Sequence, residues 1–235
     1  MDDQLSEFDL RPQPTVERPL LGLTILVVED SRYASEAIRL MSLRSGARLR
    51  RADCFASAER HLNIYCPTIA IIDHGLPDGS GIDLIRRIAT SRNRLPIILG
   101  TSGAEREAAE REAMQAGADG FIPKPIQTVA AFQAAILSHL PDTVRPVGPR
   151  DAPIIVVDPD PIALREDLSH AMDLLASDRP PVEYLRKFLI GIARAVDDIG
   201  MERRAQKMTA HPAPSDYAAL REFLSTRIQA VPSVV

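Results

Sequence analysis

Five polar residues follow directly on short apolar runs of the sequence, at the points where buried strands would end. Three carboxylates, a hydroxyl and an ammonium group brought together would suit a hard cation and a phosphoryl group, because Mg²⁺ prefers oxygen ligands. A carboxylate beside such a cation can act as a nucleophile toward phosphorus. The five residues are Glu29, Asp30, Asp73, Thr101 and Lys124.

Lysine at position 124 is a distinctive choice for this chain. Of its 28 lysines and arginines only three are lysine, so arginine serves wherever a general cation is sufficient. Arginine presents a wide planar fork, whereas lysine places a compact charge on a slim stem. We therefore expect Lys124 to pair with a carboxylate in a narrow site and to meet a phosphoryl oxygen when one arrives.

The elements that must position these residues alternate between buried strands and amphipathic helices. Such alternation is typical of a doubly wound α/β domain, in which right-handed crossovers give a parallel sheet covered by helices on both faces. Ligands bind at the carboxyl ends of the strands in such folds, so we expect the five polar residues to meet there. Strands are predicted over 24–29, 47–52, 68–73, 95–101 and 118–122, and helices over 32–45, 56–64, 82–90, 104–116 and 126–140.

Four motifs within this pattern resemble those of a known family. They are residues 27–31 (VVEDS), 71–77 (IIDHGLP, followed by Gly81), 96–101 (PIILGT) and 121–125 (FIPKP). The spacings are also family-like, with 43 positions from Asp30 to Asp73, 28 from there to Thr101 and 23 from Thr101 to Lys124. Residues 23–140 therefore resemble the receiver domain of two-component response regulators.

The resemblance implies a five-stranded, flavodoxin-like receiver fold and a role in phosphoryl transfer. Asp73 would accept a phosphoryl group from a sensor histidine kinase or a phosphotransfer protein, with Lys124 and Thr101 assisting. Thr101 and Phe121 would form the conformational switch, although Phe121 stands where the family often has tyrosine and lacks its hydroxyl. The implied cofactor is Mg²⁺, held by Glu29, Asp30, Asp73 and the backbone carbonyl of Gly75.

Two glycines stand close to the expected phosphoacceptor. Gly75 and Gly103 each lie two positions after a residue of the site, Asp73 and Thr101 respectively. In the family, side chains at these two positions influence how fast the phosphate is lost. Glycine offers no group there that would orient or block a water molecule.

The chain is predicted to divide into four segments. Residues 1–20 are acidic, contain three prolines and little apolar content, and are typical of a disordered tail. Residues 21–140 form the receiver domain, and residues 141–153, with four prolines, form a linker. Residues 154–235 open on a short apolar run and then form an all-helical region. Helices are predicted there over 163–176, 182–198, 201–208 and 215–230.

The helical region is predicted to act through protein contacts. From residue 151 onward it holds ten basic and thirteen acidic side chains, a net charge of −3, whereas a DNA-binding domain normally presents a basic face. His170 lacks the lysine and glycine that accompany a phosphotransfer histidine, so it is interpreted as a half-exposed helix residue. Catalytic constellations are not recognisable, so the chain is expected to be a phosphoacceptor whose output is a protein partner or self-association, and not an enzyme.

Two alternatives are left open at this point. One is a receiver fold that serves as a scaffold without phosphorylation. The presence of all five expected site residues (three acidic residues, a threonine and a lysine) argues against it. The other is a DNA-binding transcriptional regulator, against which the charge of the helical region speaks.

Composition points to a water-soluble protein of the cytoplasm. The net charge of −4 gives no indication of nucleic acid or an anionic membrane as the main partner. Apolar runs stay far below the roughly 18 residues of a membrane span, and the polar first 20 residues do not suggest a signal peptide. Cys54 and Cys66 have no metal-type spacing and are expected to be reduced thiols.

Overall fold

The computed structural model describes residues 12–142, 145–146, 154–209 and 213–231. Within them the first part of the chain forms seven strands, five of which pair in parallel in the order β2-β1-β3-β6-β7. This is the doubly wound order of flavodoxin-like folds, with its switch point between β1 and β3, and it confirms the predicted fold class. The strands are β1 (Thr24–Val28), β2 (Arg48–Ala52), β3 (Ile69–Asp73), β4 (Gly75–Leu76), β5 (Gly79–Ser80), β6 (Ile97–Ser102) and β7 (Gly120–Pro123).

Five helices cover the two faces of this sheet because the central strands are apolar on both sides. Along β1, Ile25 and Val27 join one hydrophobic cluster and Leu26 and Val28 join another, and each side chain that is removed from water stabilises the fold by roughly 1.5–3 kcal/mol. The first cluster includes residues of the first and fifth helices, and the second includes residues of the other three. The helices are α1 (Arg32–Ser45), α2 (Phe55–Ile64), α3 (Gly81–Ala89), α4 (Arg106–Ala116) and α5 (Val129–Leu137).

Helix α1 begins and ends at the predicted residues. The Ser31 hydroxyl accepts a hydrogen bond from the backbone N–H of Ala34, which caps the helix directly after the acidic pair of β1. Gly46 ends the helix in the left-handed conformation, with φ at 87°. The cap therefore holds the start of α1 in place beside the acidic pair at the carboxyl edge of the sheet.

Three differences from the prediction bear on the site and the core. Helix α5 starts at Val129 and not at 126, because Thr128 is extended and its hydroxyl caps the helix. The glycine-rich segment after Asp73, for which no strand is predicted from the sequence, contains the antiparallel β4–β5 hairpin. The predicted tail of residues 1–20 is described only from residue 12, and there Leu20 is fully buried in the core, because its side chain fills the space beside α1.

The apolar run at 154–157 belongs physically to the receiver part of the fold. Val156 forms an antiparallel bridge with Thr128, and the backbone N–H of Val129 donates to the carbonyl of Ile155 at 2.9 Å. Val157 is buried in the same core cluster as the first and fifth helices. The predicted boundary at 154 thus falls before residues that pack on the receiver, and most of the predicted linker, 143–144 and 147–153, lies outside the described residues.

Four helices form the helical unit that follows, with a core of its own. The predicted helix over 182–198 is wrong at its end, because Asp197 takes a φ of 54° and the Asp198 carboxylate caps the next helix through the N–H of Met201. Across the described residues, no helix is long and apolar enough to cross a lipid bilayer. The four are α6 (Pro161–Ala176), α7 (Val182–Ala195), α8 (Ile199–Gln206) and α9 (Pro214–Ala230).

Candidate functional site

The carboxyl edge of the sheet gathers the predicted site residues. The acidic pair follows β1, Asp73 is the last residue of β3, Thr101 lies near the end of β6, and Lys124 follows β7. Strands β1 and β3 pair with each other, and β3 pairs with β6, so these chain positions become neighbours in space. The parallel register sets Asp73 directly opposite Thr101.

Three carboxylates meet at this edge. One oxygen from each of Glu29, Asp30 and Asp73 lies within 4.8 Å of the others. The Lys124 ammonium lies between two of them, with Nζ 2.6 Å from Glu29 Oε2 and 2.7 Å from Asp73 Oδ1. Glu29 and Asp73 are buried, and Lys124 is largely enclosed, so water screens these charges weakly.

One ammonium does not balance three carboxylates, and the pKa values reflect that imbalance. Burial raises the pKa of Glu29 to about 8, against the opposing effect of Lys124 and with further repulsion from Asp73. Burial and the charge of Asp73 raise the pKa of Asp30 to about 6. Burial alone would lower the pKa of Lys124, but its two carboxylate partners outweigh that effect and raise it. The cluster therefore favours the arrival of a further cation.

The donor set fits a magnesium ion. All the available ligand atoms are carboxylate oxygens, which are the ligands that Mg²⁺ takes together with several waters. Backbone N–H groups fix their orientation, since Ser31 donates to Asp30 Oδ1 at 3.0 Å and Gly75 donates to Asp73 Oδ2 at 2.8 Å. Gly75 thus lies beside the cluster, and the role of its carbonyl oxygen stays a prediction.

Thr101 and Phe121 lie on neighbouring strands but do not point into the cluster together. The buried Thr101 hydroxyl donates to the carbonyl of Ile122 at 2.7 Å. The partly buried Phe121 ring packs beside the His74 imidazole, with ring centroids 5.6 Å apart. In this state the hydroxyl is held by strand β7, so the proposed switch would require Thr101 to exchange that partner.

Two residues of the helical unit reach the site, and the sequence reasoning missed both. The Tyr184 hydroxyl, on α7, donates to Asp30 Oδ2 at 2.5 Å. Asp167, on α6, is buried and accepts three hydrogen bonds from the start of α1, from the Ser31 hydroxyl and the backbone N–H groups of Arg32 and Tyr33. Burial raises the pKa of the Tyr184 phenol, so this group stays a proton donor.

Helix α7 runs across the carboxyl edge of the sheet. It lies against β4, and Arg194, near its end, donates to the carbonyl of Gly103. A Cβ built on Gly103 would lie 3.5 Å from Gly191 Cα, so little more than one side-chain carbon fits between the two backbones at these glycines. Between the sheet edge and α7 lies a cavity of about 890 Å³ that is lined by the acidic cluster and by Tyr184, Lys187 and Phe188.

One of the missed residues carries a weak signal in the sequence. Asp167 stands three positions after Leu164 and beside Leu168, on the apolar stripe of its helix. A carboxylate on such a stripe needs hydrogen-bond donors from elsewhere, which indicates a contact between units. Tyr184 carries no comparable signal, because its partner Asp30 is 154 positions away. His170 is exposed, with its ring edge-on to Phe188.

Gly81 is expected to be indispensable for the geometry around Asp73. A Cβ at this position would lie 1.8 Å from the Asp73 carbonyl oxygen, so alanine forces the backbone of the site to move. We expect Gly81→Ala to lower the free energy of unfolding by about 2–3 kcal/mol, measured by urea denaturation. Gly191→Ala is the control, since a Cβ there meets nothing within 4 Å and alanine favours the helix. Equal midpoints for Gly81→Ala and the wild type would contradict the expectation.

Comparison with known proteins agrees with this geometry. The response regulator receiver domain family matches residues 25–136. The virulence transcriptional regulatory protein PhoP of Salmonella typhimurium and the transcriptional regulatory protein PhoP of Escherichia coli K12 are each 34% identical over 117 residues, 49% of this chain and 52% of the relative. The chain therefore spans about half the length of the curated relatives it matches. Because these relatives are named transcriptional regulators, they give no support to the expectation that DNA is not a partner.

Solved structures with detectable similarity cover the same part of the chain. A putative response regulator from Chloroflexus aurantiacus is 26% identical with a TM-score of 0.42, covering 44% of this chain and 85% of that one. The Francisella response regulator 1452 receiver domain is 17% identical with a TM-score of 0.46, covering 50% and 95%. On the strength of the sequence family and the observed strand order, residues 25–136 of this chain are a response regulator receiver domain.

Proposed function

We propose that this chain is a cytoplasmic two-component response regulator whose Asp73 accepts a phosphoryl group from a histidine kinase or a phosphotransfer protein. The observation that carries the proposal is the arrangement at Asp73. Its carboxylate is held 2.7 Å from the Lys124 ammonium and within 4.8 Å of two further carboxylates, at the edge of the sheet where such folds bind ligands.

The transfer requires one bond to form and one to break. An Asp73 carboxylate oxygen attacks phosphorus, the P–N bond of the donor histidine breaks, and the imidazole leaves with its electron pair and takes up a proton. Lys124 can stabilise the negative charge of the transferred phosphoryl group. Its ammonium contacts Asp73 Oδ1 before the transfer and can then turn to a phosphoryl oxygen. The Thr101 hydroxyl would offer a second donor after it releases the Ile122 carbonyl.

A magnesium ion held by Glu29, Asp30 and Asp73 would neutralise charge on the phosphoryl group during transfer. The chain's own contribution is to position the carboxylates and to exclude water from Lys124. We propose that this self-directed transfer is its only catalysis, so the protein is a phosphoacceptor and not an enzyme with an external substrate.

Phosphorylation is expected to depend fully on a divalent cation. With phosphoramidate as donor, the protein should be labelled in Mg²⁺ and not in excess chelator, because the three carboxylates repel an anionic phosphoryl group unless a cation compensates them. A phosphate-affinity gel measures the labelled fraction. Equal labelling in chelator would contradict the role of the acidic cluster, and failure to label in saturating Mg²⁺ would favour a scaffold that does not use phosphate.

The output is proposed to be a protein contact made by the helical unit. From residue 151 onward the chain has a net charge of −3, which suits a protein partner or a second copy better than DNA. A pull-down with the full chain, with and without phosphorylation, would identify such a partner, and light scattering would detect self-association. Both cysteines are free thiols in the structure, in keeping with a reducing compartment.

A transcriptional output is the second candidate, because the matching curated relatives are named transcriptional regulators. That similarity covers 117 residues, about half of each chain. Binding of the full chain to duplex DNA with micromolar or better affinity at physiological salt would favour this candidate over a protein contact.

A further inference from the structure

Helix α7 lies across the edge of the sheet at which Asp73 stands. It contacts the site at two ends, with Tyr184 bonded to Asp30 near its start and Arg194 bonded to the Gly103 carbonyl near its end. Between these contacts it lies against β4, which begins two positions after Asp73. The Asp73 side chain keeps only 10% of its surface exposed. While α7 stays there, a donor histidine on another protein would have to enter the cavity between α7 and the sheet edge to reach Asp73.

Two glycines lie where α7 crosses the edge of the sheet. At Gly103, after β6, the missing side chain allows the close approach of α7, whereas a Cβ on Gly75, in β4, would meet Asp73 Oδ2 at 3.4 Å. A Cβ built on Gly103 would reach ordinary van der Waals distance from Gly191 Cα, at 3.5 Å, so a side chain much larger than alanine at 103 would press against α7. Helix α7 thus covers the edge of the sheet at two positions, 75 and 103, that carry no side chain.

A buried carboxylate fastens the helical unit to the receiver. Asp167 bonds to the Ser31 hydroxyl and to the Arg32 N–H, both at 2.7 Å, and to the Tyr33 N–H at 3.1 Å. These groups lie at the N-terminus of α1, where a negative charge is favourable. They also directly follow Asp30, so the attachment point and the metal-binding carboxylate share one short segment of backbone.

The Tyr184 hydroxyl and a bound cation would compete for the carboxylate of Asp30. A phenol that donates to a metal-binding carboxylate reduces the negative charge on its oxygen, and a bound cation in turn weakens the hydrogen bond. The orientation of Asp30 does not depend on Tyr184, because the Ser31 N–H holds its other oxygen at 3.0 Å. Loss of the phenol therefore removes a competitor and leaves the carboxylate in place.

We propose that α7 is a lid on the phosphoacceptor site, that Tyr184 holds it closed, and that lid closure and Mg²⁺ binding oppose each other. The proposal rests on the proposed function, since it assigns a regulatory element to the same site. The closed lid keeps the Mg²⁺ affinity low and Asp73 covered, so whatever draws the helical unit away prepares the site for its donor. Binding of a partner to α7 and phosphoryl transfer to Asp73 therefore both depend on the equilibrium between the closed and the open position of α7.

The test compares Tyr184→Phe with the wild type as full chains. Calorimetric titration with Mg²⁺ should give a dissociation constant about tenfold lower for Tyr184→Phe, since a charge-assisted hydrogen bond no longer has to be weakened. Hydrogen exchange of residues 182–195 should be slow in the wild type without Mg²⁺ and faster when the ion is saturating. Tyr33→Phe is the matched control, because Tyr33 lines the same cavity but its contact with Asp167 is through the backbone.

A second variant tests the contact between Asp167 and the start of α1. Asp167→Ala removes three hydrogen bonds between α6 and α1, while the Ser31 hydroxyl still caps α1, so the receiver should stay folded. It should also lower the Mg²⁺ dissociation constant and speed up exchange in α7. An unchanged or higher dissociation constant for Mg²⁺ in Tyr184→Phe would overturn the proposal that α7 is a lid. A hydrogen-exchange rate in α7 that does not change with Mg²⁺ would also overturn it. Labelling of the wild type by phosphoramidate at saturating Mg²⁺ tests the proposed function separately.

Discussion

Asp73→Asn will take up no phosphoryl group from phosphoramidate under conditions in which the wild type is labelled. The neutral amide oxygen is a far weaker nucleophile than a carboxylate and forms no stable acyl phosphate, so labelling should fall at least about a thousandfold. The measurement is the labelled fraction over time, by intact-protein mass spectrometry in saturating Mg²⁺.

The variant should fold normally, which separates chemistry from stability. Removing one of three mutually repelling carboxylates costs little, because Lys124 keeps its contact with Glu29 at 2.6 Å. Asp78→Asn is a matched control in the same segment, since the Asp78 carboxylate caps α2 through Phe55 and Ala56 and lies outside the acidic cluster. Full labelling of Asp73→Asn would place the acceptor on another residue.

Lys124→Arg will also be strongly impaired, although it keeps the positive charge. The lysine Nζ meets Glu29 Oε2 and Asp73 Oδ1 at 2.6 and 2.7 Å in an enclosed site, where a planar guanidinium is too wide to make both contacts. We expect the labelling rate to fall about a hundredfold and the free energy of unfolding to fall by about 1–3 kcal/mol from overpacking.

A neutral replacement at the same position separates size from charge. Lys124→Met leaves two buried carboxylates without their cation, a change that typically costs about 3–5 kcal/mol. Lys187→Arg is the control, because Lys187 lines the same cavity but is exposed and pairs only loosely with Glu183 at 3.4 Å. A Lys124→Arg variant that is labelled at the wild-type rate would show that any cation suffices there.

Much of the receiver could be predicted because its signals are local. Apolar runs of strand length marked the central sheet, Ser31 and Gly46 marked both ends of α1, and each polar site residue stood at the end of a run. Parallel pairing then brings together residues that are far apart in sequence, which is why Asp73 and Lys124 meet as expected.

The position of the helical unit could not be predicted, because amphipathic stripes identify a buried face and not what covers it. Leu168 and Leu175 are buried as their spacing indicates, but the contact that matters for the site is the hydrogen bond from Tyr184 to Asp30. No local pattern links two residues that far apart. Leu20 escaped prediction for the same reason, since one leucine in a polar segment gives no periodicity.

Gly75 and Gly103 show how a sequence feature gains its meaning only from tertiary structure. In the sequence they stand out as positions that lack a side chain beside the expected phosphoacceptor. In the fold, β4 and the Gly103 backbone are where α7 lies against the receiver. At Gly103 the missing side chain is matched by α7, and Tyr184 of the same helix bonds to Asp30, so residues of both units meet at this edge.

The most direct test of the account is to locate the phosphoryl group chemically. The full chain is labelled with phosphoramidate in Mg²⁺, treated with borohydride, which reduces an acyl phosphate to an alcohol, and mapped by peptide mass spectrometry. We expect homoserine at position 73 in the labelled protein, at close to one residue per chain, and unmodified aspartate in the sample kept in chelator. Homoserine at Asp30 or any other acidic residue, or a stable phosphate on a histidine such as His170, would contradict it.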